Sequence, residues 1–352
     1  MKKILLVVLA LIAVTSAAVA KSSKKSQGKQ YQAYGVAFYN LENLFDTINN
    51  NGKYDRDFSP AGQKQWNGDK YWKKQHNMAY AISHMKSKIT PMGPAVIGIS
   101  EVENITVIQD LVKQPEIKDM HLQIVHHDSP DRRGIDVGLL YNPRFFRVLN
   151  VTNTPLIIEG KPDFRTRDVM CVTGIIGGSD KVSILVNHWP SRLGGQERSN
   201  YLREAAAALN KHVADSCLAV DPNQGIIIMG DLNDDPMNSS CAEVLNAKED
   251  IKDVKAPGFY NPWWSTLAKG IGTLAYRGQW NLFDQIIISD YFLGSDKTKL
   301  SYFKHSVHNW EFLKTPDGER QGYPLRTYVK GAFTNGYSDH FPTQVFFVKQ
   351  VR

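Results

Sequence analysis

The chain has 352 residues, 42% of them hydrophobic, and a formal net charge of +7. Six lysines that precede residue 31 supply nearly all of this charge, because no acidic residue comes before that position. The rest of the chain is close to neutral. The net charge therefore does not indicate a polyanionic partner. Binding of a polyanion would need a local cluster of positive charges.

The first twenty residues have the pattern of an export signal. Lys2 and Lys3 precede an apolar run over residues 4–14, and residues 18–20 read Ala-Val-Ala, which is typical of a signal-peptidase site. The apolar run is too short to span a bilayer, although a retained anchor is the alternative. We therefore predict an exported protein, periplasmic or extracellular, with no stable membrane association after cleavage.

Residues 21–30 are rich in Lys, Ser and Gln and contain no apolar residue, which predicts a disordered linker. Residues 31–352 show no repeat, no internal linker and no second long apolar run, so we expect one domain and a monomer. Cys171, Cys217 and Cys241 lack metal-type spacing, and their odd number leaves at least one thiol unpaired, while one disulfide is allowed.

Short runs rich in β-branched and aromatic residues alternate with longer polar or helical stretches, which indicates stacked sheets within an α/β domain. Helical composition predicts helices over residues 71–85 and 196–217, and we expect these to cover sheet faces. The predicted strands cover residues 34–39, 95–100, 122–125, 137–141, 169–176, 182–186, 226–229, 285–288 and 343–348.

Polar side chains gather where these strands end, and such groups converge on one rim of a sheet. In chain order they are Asn40, Glu42, Glu101, His188, Asp231, Asn233, Asp339 and His340. Asp231 and Asn233 follow a glycine and lie two residues apart, so in extended chain their side chains share a face. Taken alone, this motif is more often an Asx-rich turn, and Glu101 alone fits an acid at a helix start equally well.

Hydrolysis of a phosphodiester needs carboxylate oxygens for a hard cation, a group that deprotonates water, and donors that meet charge on phosphorus. The strand-end residues include each of these types. Because neighbours in extended chain face opposite ways, Asp284 is a better candidate than Asp339 to hold the His340 ring.

In this order the motifs resemble those of the endonuclease/exonuclease/phosphatase superfamily over nearly the whole mature chain. The motifs are Asn40-x-Glu42, Glu101, Asn187-His188-Trp189-Pro190-Ser191-Arg192, Gly230-Asp231-x-Asn233, Asp284 and Ser338-Asp339-His340. The resemblance implies a four-layered α/β sandwich, in which two mixed sheets are flanked by helices and the site lies at one end.

The resemblance also implies roles for individual residues. Glu101 would be the principal Mg²⁺ ligand, with Glu42 and Asp339 nearby and Asn40 supporting the site; Mn²⁺ or Ca²⁺ are alternative ions. Asp231 would position or deprotonate the attacking water, and Asn233 would orient Asp231 or the phosphate. His188 and His340 would flank the phosphate, with Asp284 steadying His340 and Asp136 a weaker candidate partner of His188.

The planar guanidinium groups of arginines near these motifs could donate paired hydrogen bonds to phosphate oxygens. The alternative for each of these arginines is an ordinary solvent-exposed charge. The candidates for substrate binding are Arg133, Arg167 and Arg192, and Arg132, Arg165 and Arg198 lie near them in sequence.

The leading hypothesis is an exported endonuclease that cuts DNA, with RNA as a further substrate, by in-line attack of metal-assisted water on phosphorus. The first alternative is a phosphatase or phosphodiesterase acting on phosphoinositides, sphingomyelin or another small phosphoester, for which residues 257–280 could hold a lipid-inserting loop. The second is a surface binding protein that has the fold without the activity.

Overall fold

The computed structural model of the protein describes residues 29–49 and 56–351. The predicted signal peptide and most of the predicted linker therefore lie outside the described residues.

The first sheet contains six strands. Their bounds are β1 Tyr31–Leu44, β2 Val96–Val102, β3 Gln123–His126, β4 Asp136–Tyr141, β14 Ser301–Val307 and β17 Thr343–Gln350. They lie in the order β14-β17-β1-β2-β4-β3. β1 and β2 are parallel and the other pairs are antiparallel, so the sheet is mixed.

The second sheet contains seven strands. Their bounds are β5 Phe146–Thr154, β6 Val169–Ile176, β7 Asp180–His188, β8 Gly225–Asp231, β9 Ala247–Lys248, β10 Phe259–Tyr260 and β13 Asp284–Ser289. They lie in the order β5-β6-β7-β8-β13-β10-β9, and β7 runs parallel to β8. Two small hairpins pair β11 Leu274–Tyr276 with β12 Gln279–Asn281, and β15 Tyr328–Val329 with β16 Ala332–Phe333.

Four α-helices, α1 Gly68–Ser83, α2 Ile105–Val112, α3 Gln196–Val220 and α4 Trp264–Ala268, accompany the sheets. The side chains of Asn67 and Asn104 accept hydrogen bonds from backbone N–H groups in the first turns of α1 and α2, which fixes where these helices begin. Within the part of the chain that is described, no helix combines the length and apolar character needed to cross a membrane.

Side-chain alternation along β8 creates the layers, because successive residues of a strand point to opposite faces. Ile227 and Met229 pack in the larger core cluster, together with residues of the first sheet and of α1. Ile226 and Ile228 pack in a second cluster with the alanine-rich face of α3. The two sheets therefore meet face to face with helices outside them, and the predicted four-layered fold is confirmed.

All nine predicted strands and both predicted helices are present. The sequence did not predict β5, β14, α2, the five-residue α4 or the six strands of two or three residues, which are β9, β10, β11, β12, β15 and β16. Five of the nine residues of β5 are exposed, and β5 is the edge strand of its sheet. It therefore lacks the apolar run that marked the other strands. The eight-residue α2 is too short to show a helical period.

His308 links the end of β14 to β17 as a neutral ring. Its Nε2 donates to Oε1 of Gln344 at 2.7 Å, and the ring stacks on Trp310 with centroids 4.5 Å apart. Burial lowers the pKa of His308 from 6.5 to about 4. The unfolded chain takes up this proton more readily than the folded chain, so the stability that His308 contributes above pH 6.5 is lost as pH falls toward 4.

We expect His308→Gln to reduce the acid sensitivity of the fold, because glutamine offers Gln344 a donor without taking up a proton. The fall in Tm between pH 7.5 and pH 5 should be smaller in this variant than in the wild type, measured by circular dichroism. His121→Gln, a change at an exposed ring, should keep the wild-type fall. An equal fall in all three proteins would contradict the assignment.

Candidate active site

The ends of β1 and β2 place the first carboxylates through local irregularities of the backbone. The pairing register of β1 with β2 shifts between Asn40 and Leu44, and that of β2 with β4 shifts between Ser100 and Val102. Inside these bulges Glu42 and Glu101 have left-handed backbone angles, with φ of 46° and 61°. Left-handed non-glycine residues store strain that the surrounding structure must hold, and bulges re-aim side chains.

Gly230 brings β8 close to β7 immediately before Asp231. A Cβ atom at Gly230 would lie 2.2 Å from the carbonyl oxygen of Asn187, so only glycine fits. His188 then pairs with Asp231 across the parallel strands, and Asp284 pairs with Asp231 from β13. Three site residues are thereby brought side by side by strand register alone.

The Asp231 carboxylate is the centre of the cluster. Its Oδ2 accepts from Nδ2 of Asn40 at 3.0 Å and lies 3.5 Å from His188 Nε2 and 3.8 Å from His340 Nε2. Its Oδ1 accepts from the backbone N–H of Asn233 at 3.0 Å. Burial raises the pKa of Asp231 to about 6, while the positive charge of His340 opposes this.

Asp284 holds the ring of His340. Its Oδ2 lies 2.6 Å from His340 Nδ1, and both side chains are buried, so the predicted contact is present. Although burial opposes it, the charges of Asp284 and Asp231 raise the pKa of His340 well above 6.5. The hydroxyl of Ser338 accepts from the His340 backbone N–H and donates to the Asn40 carbonyl, which ties the loop before β17 to the end of β1.

His188 differs from His340 in charge. Burial, and then the nearby Arg167 and Arg133, lower the pKa of His188 well below 6.5, so its ring is neutral. Beneath it, Asn187 and Asn210 of α3 form a reciprocal pair of amide hydrogen bonds, each 2.8 Å long. One site therefore contains a neutral imidazole and a protonated imidazole on either side of the same carboxylate.

Protein cations neutralise Glu42. Arg326 Nε donates to Glu42 Oε1 at 3.0 Å, the Thr327 N–H donates to Oε2 at 2.6 Å, and the fully buried Lys74 lies 3.8 Å away. Burial raises the pKa of Glu42 and lowers that of Lys74 to about 8, as expected when two charges leave water together. Arg326 also donates to Asp339 Oδ2 at 2.8 Å, so one guanidinium bridges two of the predicted metal ligands.

Glu101 and Asp339 supply two further carboxylates close to the histidines. Glu101 Oε1 lies 4.0 Å from His188 Nε2, and Asp339 Oδ1 lies 3.9 Å from His340 Nε2. Arg133 reaches the same Glu101 oxygen at 3.2 Å. Carboxylate oxygens are the ligands that Mg²⁺ prefers, so this donor set fits a hard divalent cation.

Asn40 already uses both ends of its amide, since its Oδ1 accepts from the Glu42 N–H and its Nδ2 donates to Asp231. In this structure it therefore orients Asp231. Asp231, Asp284 and His340 form a group of potential metal ligands at this rim, with ligand atoms that all lie within 4.8 Å of one another.

Two of the arginines predicted to bind substrate have hydrogen-bond partners within the protein. Arg167 is buried and donates to the carbonyls of His188 and Trp189 and to Asp131. Arg192 donates to the Asn233 carbonyl and reaches Asp234 and Asp235. Of the three, only Arg133 contacts a predicted metal ligand, Glu101. The sequence could not show which arginine side chains would be held by protein partners in the fold.

The suggested pairing of Asp136 with His188 is wrong. Asp136 begins β4, where it accepts from the Ser129 N–H at 2.8 Å and lies 3.2 Å from His126 Nε2. The Asn233 amide donates to the Trp189 carbonyl, so Asn233 reaches Asp231 through its backbone N–H.

Arg326, Lys74 and Asn210 were not found from the sequence, because their contacts with motif residues form only when the chain is folded. A signal was present only for Asn210, a polar residue within the alanine-rich helix that otherwise predicts an apolar face.

The chain is similar to known proteins in its family pattern and in its fold. The model of the endonuclease/exonuclease/phosphatase family matches residues 35–349. No curated protein matches the chain in sequence. Solved structures of similar fold include TDP2 from C. elegans, with 15% identity, coverage of 91% of this chain and 77% of that one, and a TM-score of 0.53.

An endonuclease/exonuclease/phosphatase family protein from Bacteroides thetaiotaomicron is also similar, with 15% identity, coverage of 92% and 97%, and a TM-score of 0.53. D. rerio TDP2, crystallised with a single-strand DNA product, has 13% identity, coverage of 90% and 98%, and a TM-score of 0.51. At these identities the likeness is one of fold.

The structural assignment of Arg167 can be tested by Arg167→Met, which removes a buried ion pair and two bonds to strand-end carbonyls. Breaking a buried pair leaves Asp131 uncompensated, so the free energy of unfolding should fall by about 3 kcal/mol in urea denaturation. Arg165→Met, at an exposed arginine two residues away, should change it by less than about 0.5 kcal/mol. Equal stability of the two variants would show that Arg167 is not structural.

Proposed function

The chain belongs to the endonuclease/exonuclease/phosphatase family, and on that premise we propose that it is an exported, divalent-metal-dependent phosphodiesterase that hydrolyses DNA. The observation that carries the proposal is the buried Asp231 carboxylate, with Asn40, His188 and His340 within 3.8 Å of its Oδ2. A neighbour of similar fold was crystallised with a single-strand DNA product, which supports nucleic acid as the substrate class.

Asp231 is suited to accept the proton of the attacking water. Its pKa of about 6 is close to working pH, which favours a general base. The Asn40 amide and the Asn233 N–H fix the direction of the carboxylate. As the water oxygen bonds to phosphorus, Asp231 takes its proton, and the ester oxygen leaves with the bonding electron pair and is protonated from solvent.

The two histidines have different tasks because their charges differ. His340, protonated against Asp284, can donate its Nε2 proton to a phosphate oxygen as negative charge develops there. His188 is neutral and can donate a hydrogen bond without adding charge. A divalent cation held by Glu101 and Asp339 would neutralise part of the phosphate charge.

We expect Asp231→Asn to lower the rate of plasmid cleavage in Mg²⁺ by at least about a hundred-fold, since general-base catalysis contributes about 10²–10⁴. The amide keeps the size of the side chain but accepts no proton at neutral pH. Asp250→Asn, at an exposed carboxylate, is the matched control and should cleave like the wild type. Wild-type protein that nicks plasmid no faster than the Asp231 variant would remove DNA from the proposal.

If the substrate were a lipid phosphoester, the β11–β12 hairpin could contact the lipid surface. This hairpin presents Tyr276, which is 62% exposed. An aromatic side chain at a hairpin tip can enter a lipid surface. The same preparation is therefore assayed with sphingomyelin, phosphoinositide and DNA under one set of conditions. Faster turnover of a lipid than of DNA would favour the phosphoester alternative.

Metal binding separates an enzyme from a binding protein of the same fold. We expect calorimetric titration with Mg²⁺ to give a saturable signal that Glu101→Gln weakens by at least about ten-fold, because a neutral amide replaces a charged ligand. Glu159→Gln, at an exposed glutamate, should bind as the wild type does. A wild-type protein that takes up neither Mg²⁺ nor Mn²⁺ would favour the binding-protein alternative.

A further inference from the structure

Two of the three cysteines face each other between the second sheet and helix α3. Cys171 lies in β6 and Cys217 lies in the last turn of α3, and their Sγ atoms are 3.9 Å apart. Both are free thiols in this structure. The two residues are 46 positions apart in the chain, so only the fold brings their side chains together.

Hydrogen bonds fix the backbone at Cys217. Its carbonyl accepts from the Asp221 N–H at 3.0 Å and from Gln224 Nε2 at 2.6 Å. Gln224 Oε1 accepts in turn from the hydroxyl of Ser183, which lies on β7, at 2.8 Å. The end of α3 is therefore held against the sheet. The sulfur atoms of a disulfide bond are about 2 Å apart, and rotation of a cysteine side chain about χ1 can close the remaining gap of about 2 Å.

The two thiols differ in acidity. The contact with the Cys171 thiol, helped by the Ser183 hydroxyl and the charge of Lys181, lowers the pKa of Cys217 to about 6, although burial opposes this. The same contact, together with burial, raises the pKa of Cys171. Because the thiolate is the nucleophile in disulfide exchange, Cys217 is the group that attacks first.

A surface cavity of about 540 Å³ gives small molecules access to the pair. Both cysteines line it, together with the exposed residues His212, Ser216 and Val220 of α3. Cys217 is partly exposed, whereas Cys171 is buried. A molecule that enters the cavity from solvent therefore meets Cys217 before Cys171, in the same order as their acidity requires.

The third cysteine, Cys241, lies in a different environment. It is fully buried, and its Sγ accepts a long hydrogen bond of 3.9 Å from the Ser240 hydroxyl. Burial raises the pKa of Cys241. A buried and protonated thiol is unreactive, so Cys241 provides an internal control.

We propose that Cys171 and Cys217 form a disulfide bond by exchange with a low-molecular-weight disulfide, and that this bond holds α3 against β6. The Cys217 thiolate attacks one sulfur of the reagent, whose S–S bond breaks, and the first thiol leaves with the bonding electron pair and takes up a proton. Cys171 then loses its proton and attacks Cys217 Sγ, and the second thiol leaves. The protein loses two hydrogen atoms, and the reagent is reduced to two thiols.

The bond would stabilise the helix that supports a catalytic strand. Asn210 of α3 exchanges two amide hydrogen bonds with Asn187, the residue before His188 on β7. A bond between α3 and β6 would restrain this helix, and it would also restrict the unfolded chain by closing a loop. The proposal goes beyond the proposed function and does not depend on it.

The reaction is followed by intact mass spectrometry of the folded protein after treatment with hydroxyethyl disulfide at neutral pH. Wild-type protein should lose about 2 Da, and digestion without reduction should join the peptides that contain Cys171 and Cys217. A wild type that keeps three thiols, or that pairs either residue with Cys241, would overturn the proposal. A wild type that stops at the mercaptoethanol adduct would overturn it as well, because Cys171 would then not reach Cys217.

Single variants test the order of the two steps. Cys171→Ser should retain one mercaptoethanol on Cys217 and gain about 76 Da, because no second thiol displaces it. Cys217→Ser should react at least about ten-fold more slowly, since Cys171 stays protonated. Cys241→Ser should lose about 2 Da as the wild type does. Equal reactivity of the Cys171 and Cys217 variants would contradict this order, and the wild-type measurement stands even where a substitution affects folding.

The restraint on α3 is measured as thermal stability by circular dichroism. Treated wild-type protein should have a Tm at least about 5 °C higher than the same protein after reduction. Treated Cys171→Ser should have the same Tm before and after reduction, because it cannot form the bond. An equal Tm for the two states of the wild type would show that the bond does not hold α3 and would refute that part of the proposal.

Discussion

Burial of the Asp231 carboxylate is the constraint on which the rest of the site depends. A charge removed from water must be met by donors or by opposite charge, or it becomes neutral. Here Asn40 and the Asn233 backbone supply donors, and His340 supplies a positive charge that Asp284 in turn balances. The same requirement recurs at Glu42, which Arg326 and Lys74 neutralise. Each buried carboxylate at the active-site rim is therefore balanced by a neighbouring cation or hydrogen-bond donor, and these residues come from both sheets.

The division of labour between the sheets follows from strand register. The second sheet aligns His188, Asp231 and Asp284 on three neighbouring strands, where pairing leaves little freedom. The first sheet supplies Asn40, Glu42 and Glu101 at bulged ends, where the backbone departs from regular pairing. The site therefore combines residues placed by regular strand pairing in one sheet with residues placed by locally strained backbone in the other.

The sequence was sufficient for the strands with apolar runs and for the residues at their ends, because burial and turn chemistry leave a local pattern. It was insufficient for β5, whose edge position removes that pattern, and for Arg326, which meets Glu42 from 284 residues away. Arg167 and Arg192 were predicted to bind substrate, yet both guanidinium groups bond to protein partners. No local feature of the sequence near a motif shows whether an arginine has such partners. Ion pairs between distant residues are properties of the folded chain alone.

The left-handed backbone at Glu42, Asn43, Glu101 and Asn233 limits how substitutions at this rim can be interpreted. A β-branched residue at Glu101 would alter the course of the main chain as well as remove a carboxylate, so its phenotype would mix two causes. Replacement by glutamine or asparagine keeps the conformational demand nearly constant. Laboratory evolution of this rim would accordingly be confined to a narrow set of side chains by stereochemistry, before any selection on catalysis begins.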